Sequence, residues 1–145
     1  MKRIVTGMSA AVSLLLASSP ANAFAVPPEL VIHCKQRDWQ NTLIPTRQGN
    51  RAWGWRHLSA EHNIRKCSVV NAALNGSVDA RSGSHWTYIA YAINRSTRKQ
   101  IKIVAIVQHA QSTDDRKFKA TDGYPIGVIT AYCVGVNKCP DWVNQ

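Results

Sequence analysis

Residues 85–108 decide the architecture: His85-Trp86-Thr87-Tyr88-Ile89-Ala90-Tyr91-Ala92-Ile93-Asn94, then the polar stretch Arg95-Ser96-Thr97-Arg98-Lys99, then Gln100-Ile101-Lys102-Ile103-Val104-Ala105-Ile106-Val107-Gln108. The outer segments are rich in aromatic and β-branched side chains, and the middle is short and charged. That is the pattern of two antiparallel strands joined by a turn. Downstream, Asp114 to Asp122 reads as a charged loop ending at Gly123 and Pro125, and Ile126 to Val134 reads as a third strand.

Upstream of Gly83 the pattern changes from strand to helix. Cys67 to Leu74 reads as a helical piece stopped by Asn75-Gly76, and Arg51 to Asn63 as a longer helix. In that helix Trp55, Leu58 and His62 fall on one stripe, and His57 and Glu61 are neighbours on another. Residues 31–39 read as a short helix carrying Cys34, and Pro45, Gly49 and Asn50 mark a loop before the next element. Residues 24–30, with Pro27-Pro28, form an extended lead-in. The whole predicts an α+β domain, with N-terminal helices packed on a small antiparallel β-sheet and two disulfides.

The 145 residues suffice for one domain and too few for a multidomain enzyme or a nucleotide-binding α/β fold of ordinary size. Eighteen Lys and Arg against eight Asp and Glu give a net charge of +10 and point to an anionic partner. The scarcity of carboxylates argues against a calcium protein or a carboxylate-pair hydrolase. Residues 1–23 read as a signal peptide: Lys2 and Arg3, an apolar run from Ala10 to Leu16, and Ala21-Asn22-Ala23 before a cut. The run is too short to cross a bilayer of about 30 Å, so a mature chain of residues 24–145 is expected to be secreted or periplasmic, free of the membrane and monomeric.

Export makes the four cysteines, Cys34, Cys67, Cys133 and Cys139, an expected pair of disulfides. Of three connectivities, a short loop closed by Cys133 and Cys139 is favoured, which leaves Cys34 to join Cys67. A zinc site is the competing reading, but no CxxC pair exists. No metal or other cofactor is expected.

Two segments carry residues suited to chemistry, Gly54-Trp55-Arg56-His57-Leu58-Ser59-Ala60-Glu61-His62 and Val128-Ile129-Thr130-Ala131-Tyr132. In a strand, Thr130 and Tyr132 put two hydroxyls on one face about 7 Å apart, a spacing suited to neighbouring oxygens of a phosphate. An imidazole near its ordinary pKa can take a proton from a ribose 2′-hydroxyl and return one to the leaving group, and nearby cations stabilise the charge on phosphorus. Five residues of helix turn through about 500°, so the rings of His57 and His62 are expected about 140° apart, on different faces. His62 shares the Trp55 and Leu58 stripe and is favoured as the acid/base, whereas His57 is expected to point aside toward Glu61. Both are candidates. Lys102 and Arg56 are the candidate substrate-binding cations.

The order of His-x4-His on an early helix, a basic strand hairpin, and a late strand reading Ile129-Thr130-Ala131-Tyr132 resembles the small bacterial ribonuclease toxins of the barnase, EndoU, colicin and RelE group. That group includes delivered toxin domains termed RNase A-like, which often close with a Thr-Ala-Tyr-Pro strand. The similarity runs from His57 to Cys133. It implies metal-independent cleavage of RNA on an antiparallel sheet packed against N-terminal helices. Thr130 and Tyr132 would be the phosphate-contacting pair and His57 or His62 the helical acid/base. RNA is the implied substrate, and a cognate inhibitor or immunity protein a further implied partner. The chain differs in having Cys133 after Tyr132, where the group usually has Pro, and in following its own leader.

Two other classes fit the composition. Arg95, Arg98, Lys99 and Lys102 around the hairpin turn, with Arg116, Lys117 and Lys119 in the next loop, would also suit a non-catalytic protein that binds nucleic acid or another polyanion. A secreted inhibitor of another protein is the third reading. The five Trp are scattered, and most are expected in the core rather than in a base-stacking platform.

Overall fold

A computed structural model describes residues 25–145; the expected leader at 1–23 lies outside the described residues. The chain is α+β with two antiparallel sheets. A ribbon of β1 (Ile32–Arg37) and β2 (Leu43–Arg47) comes first, then the short helices α1 (Trp55–His62) and α2 (Cys67–Leu74). A second sheet follows as a meander, β3 (Ala80–Ser82), β4 (His85–Ile93), β5 (Gln100–Gln108) and β6 (Gly127–Cys133) in that order.

The hairpin expected over residues 85–108 forms, with nine antiparallel pairs from His85↔Gln108 to Ile93↔Gln100. Its turn is tied by Asn94, whose Oδ1 accepts the amides of Ser96 and Thr97 at 3.0 Å each. Residues two apart in a strand share a face. One face of the sheet carries Tyr88, Ile103, Ala105, Val107, Ala131 and Cys133, which join Leu58 of α1, Val70 and Leu74 of α2 and Ile44 of β2 in one buried cluster, with the half-buried Trp86 packed against it. Each Leu, Ile or Val sequestered there contributes about 1.5–3 kcal/mol. The other face carries Thr87, Ile89 and Tyr91 from β4, Lys102, Val104 and Ile106 from β5, and Thr130 and Tyr132 from β6. Tyr91 and Ile93 on this face are 58% and 59% exposed.

The helix expected at residues 31–39 is a strand, and the N-terminal layer is a ribbon rather than helical. Two local constraints explain it. Asp38 begins a tight reversal, its Oδ1 accepting the Thr42 amide at 2.8 Å, with Asn41 in the left-handed region at φ 63°. The returning segment Leu43–Arg47 was expected to be loop because of Pro45. Pro45 is accommodated in a two-stranded ribbon, where one backbone edge needs no partner. The helix expected from Arg51 starts only at Trp55, because Gly54 at φ 75° and ψ −165° stands immediately before it. β3 is an additional strand, with Ala80–Ser82 pairing onto Thr87–His85.

Two disulfides hold the described chain, Cys34–Cys67 between β1 and α2 and Cys133–Cys139 across a short loop. Arg47, with a side chain only 2% exposed, bonds both oxygens of Asp122 at 2.8 and 2.9 Å and the carbonyls of Leu30 and Pro125, fastening the long loop to the ribbon. Gly127, at φ 87°, lies so close to the Pro45 carbonyl that any Cβ would overlap it, and this sets how tightly β2 abuts β6. Among the described residues no helix is long and apolar enough to cross a membrane.

Candidate functional site

α1 ends against the edge of the second sheet. Gly54 donates its amide to the Ile129 carbonyl at 3.0 Å, so the start of the helix is pinned to β6. Leu58 is fully buried and fixes the rotation of the helix. The ring of His62 at its last position lies 5.9 Å from that of Tyr132, centroid to centroid.

His57 and His62 meet edge to face, with ring centroids 4.9 Å apart. The expectation that the two rings occupy separate faces is corrected. Helical side chains lean toward the helix N-terminus, so a ring on the last residue swings back over the turn that carries His57. His57 is oriented by the Arg51 carbonyl, which lies 2.8 Å from its Nδ1. A carbonyl only accepts, so Nδ1 carries the hydrogen and Nε2 is left to exchange a proton. That carbonyl is an orienting group that spacing did not reveal, since Arg51 was expected to be inside the helix.

His62 is half-buried, and its pKa is held below the usual 6.5, first by burial and then by the neighbouring His57; a backbone hydrogen bond to Asn137 and the charge of Glu61 act in the opposite direction. The ring is therefore neutral near pH 7, the form that accepts a proton. The loop closed by Cys133–Cys139 braces this histidine. Cys139 donates its amide to the His62 carbonyl at 2.9 Å, and Asn63 Nδ2 donates to the Cys139 carbonyl at 2.8 Å.

Of the other residues singled out in the sequence, Thr130 and Lys102 share the open face with Tyr132. Tyr132 pairs with Val104 and Thr130 with Ile106, and Lys102 is the next residue of β5 on that face. The Lys102 carbonyl accepts the Val134 amide at 2.9 Å just beyond Tyr132. Arg56 is exposed on α1 and is not among the rings that meet. Arg95, Arg98, Lys99, Arg116, Lys117 and Lys119 are all exposed.

Sequence reasoning missed a second group at the far end of the open face. His85 Nε2 lies 3.1 Å from Asp114 Oδ2, and Gln108 Nε2 donates to Asp114 Oδ1 at 2.9 Å and to the Ser112 carbonyl at 3.2 Å. The two strands that carry His85 and Gln108 were legible in the hairpin; their register and the return of Asp114 onto them were not. As for metal ligands, His33, Cys34 and Cys67 gather within 4.8 Å, but the two sulfurs are bonded to each other and offer no thiolate.

No protein-family model matches the chain, and no curated protein aligns with it significantly.

Proposed function

We propose that the protein is a secreted or periplasmic endoribonuclease that needs no metal and cleaves RNA by transphosphorylation. The reading rests on one observation: two imidazoles in contact, one neutral through burial and one oriented through Nδ1, beside a tyrosine at the edge of an open sheet face bearing Thr130 and Lys102. In the reaction, His62 takes the proton of a ribose 2′-hydroxyl as that oxygen attacks the adjacent phosphorus. The bond from phosphorus to the 5′-oxygen breaks, and protonated His57 supplies the proton that the leaving oxygen needs. The products are a 2′,3′-cyclic phosphate and a free 5′-hydroxyl. Thr130, Tyr132 and Lys102 hold the phosphate oxygens, with Arg56 as a further cation at the rim.

The basic charge and the exposed lysines and arginines around the hairpin turn favour a polyanionic substrate, and the two disulfides suit an oxidising compartment. The resemblance to the barnase, EndoU, colicin and RelE group supports the same chemistry and brings with it a role as a toxin against other cells and a cognate inhibitor. The test is incubation of the oxidised chain with RNA in EDTA. Cleavage should persist with chelator and leave cyclic-phosphate ends. His62→Ala and His57→Ala should each lower the rate by about 10²–10⁴-fold while keeping RNA binding. RNA that is bound in a salt-dependent way and never cut would instead make this a polyanion-binding protein.

A further inference from the structure

A bulge in β1 brings an imidazole beside the Cys34–Cys67 bridge. Ile32 pairs with Arg47 and Cys34 with Thr46, so His33 is the extra residue between them and has no pairing partner on β2. In a regular strand neighbouring side chains point to opposite faces, and a bulge re-aims one of them. Here a ring nitrogen of His33 and the sulfurs of Cys34 and Cys67 all lie within 4.8 Å of one another. The ring is held on two sides: Trp55 stacks on it with centroids 4.2 Å apart, and the Gln48 side-chain nitrogen lies 3.1 Å from its Nδ1. His33 is exposed, Cys67 is half-buried and Cys34 is buried, so the group is reached from the His33 side. None of the three takes part in the proposed cleavage.

We propose that this is a reducible metal site: once the bridge is opened, Cys34, Cys67 and His33 bind a zinc ion. The inference does not depend on the ribonuclease reading. A dithiol gives the bridge two electrons and two protons and leaves as its own disulfide, producing two thiols; zinc then binds the sulfurs as both protons are released. Bonds of about 2.3 Å to sulfur and about 2.0–2.1 Å to nitrogen, set at a tetrahedral angle, put the ligand atoms roughly 3.5–3.8 Å apart. Rotation of the side chains closes the present spread of 4.8 Å to that spacing. The Cα atoms of Cys34 and Cys67 stand 5.8 Å apart, near enough for both sulfurs to reach one ion. Cys67 is the first residue of α2 and follows Lys66, and the helix N-terminus and the ammonium both favour a thiolate there. Two thiolates and an imidazole select zinc over calcium or magnesium, which take oxygen ligands, and water completes the tetrahedron.

The experiment uses the whole mature chain, reduced with TCEP under argon and titrated with Co²⁺, whose tetrahedral thiolate complexes absorb in the near ultraviolet and the visible, and then with Zn²⁺. One Co²⁺ per reduced chain should bind and be displaced by zinc, and the oxidised chain should give no cobalt–thiolate band. Zinc should raise the urea midpoint of the reduced chain, because only the folded state holds the three ligands together. A reduced chain that unfolds should regain its far-ultraviolet circular dichroism with zinc. Cys133→Ala/Cys139→Ala should keep the cobalt signal, Cys34→Ala/Cys67→Ala should lose it, and His33→Ala should weaken binding by at least about tenfold. No cobalt–thiolate band in the reduced wild-type chain, unchanged affinity in His33→Ala, a signal that follows Cys133 and Cys139, or binding that neither stabilises nor refolds the chain overturns the proposal. RNA cleavage by the oxidised chain in EDTA, or its absence, bears on the ribonuclease reading alone.

Discussion

Removing the Cys133–Cys139 bridge should harm activity more than stability, and removing Cys34–Cys67 should do the reverse. The bridges close loops with sequence separations of 6 and 33 residues. The chain-entropy relation makes these worth about 2 and about 4 kcal/mol respectively. The site reverses that ranking. The shorter loop holds His62 through the Cys139 amide, receives Asn63 at the Cys139 carbonyl, and starts one residue after Tyr132. The longer bridge ties β1 to α2, and neither element contributes to the ring cluster. Loosening a catalytic group by about 1 Å costs on the order of 10²-fold in rate. Cys133→Ala/Cys139→Ala should therefore stay folded, lose about 2 kcal/mol by urea denaturation, and lose about 10–100-fold of its RNA cleavage. Its His62 ring, no longer held in its half-buried place, should titrate closer to 6.5 by NMR. Cys34→Ala/Cys67→Ala should lose roughly twice the stability and, under conditions where it is folded, keep most of its rate. Full activity in the first variant, or a greater loss in the second, refutes the argument that the short loop positions His62.

Two further outcomes follow from other parts of the structure. His62 and His109 both have pKa values lowered chiefly by burial, so below about 6.5 the unfolded chain binds protons that the folded chain resists. Stability should fall as pH drops through 6.5 toward the folded values; a urea midpoint that stays constant from pH 8 to pH 5 contradicts this. Gly127→Ala places a Cβ against the Pro45 carbonyl at φ 87° and should cost at least about 2 kcal/mol by urea denaturation, with wild-type stability as the contrary result.

The elements that were legible in the sequence are those whose signals are local. The β4–β5 hairpin carries its alternation and its polar turn within 24 residues, and α2 runs from Cys67 to the stop at Asn75-Gly76, with the observed bounds matching the expected Cys67 to Leu74. The favoured disulfide pairing is the one present. β1 and β2 were not legible, because each gains strand character only by pairing with the other; alone, one is a polar hexapeptide and the other contains Pro45. The closeness of His57 and His62 was missed because ideal helix geometry places Cβ atoms, whereas the rings are set by the lean of the last side chain and by the Arg51 carbonyl.

The sequence by itself determined the chemical inventory: basic charge, two imidazoles on one short helix, two hydroxyls alternating on a late strand, and four cysteines. These depend on composition and short-range periodicity, which one stretch of chain carries unaided. Only the tertiary structure decided which groups meet. Tyr132 reaches His62 because α1 is pinned to β6, and Asp114 reaches His85 because Gln108, paired with His85 across the hairpin, binds both Asp114 and the Ser112 carbonyl. The contacts of Tyr132 with His62 and of Asp114 with His85 join residues far apart in the chain, and no local pattern encodes them.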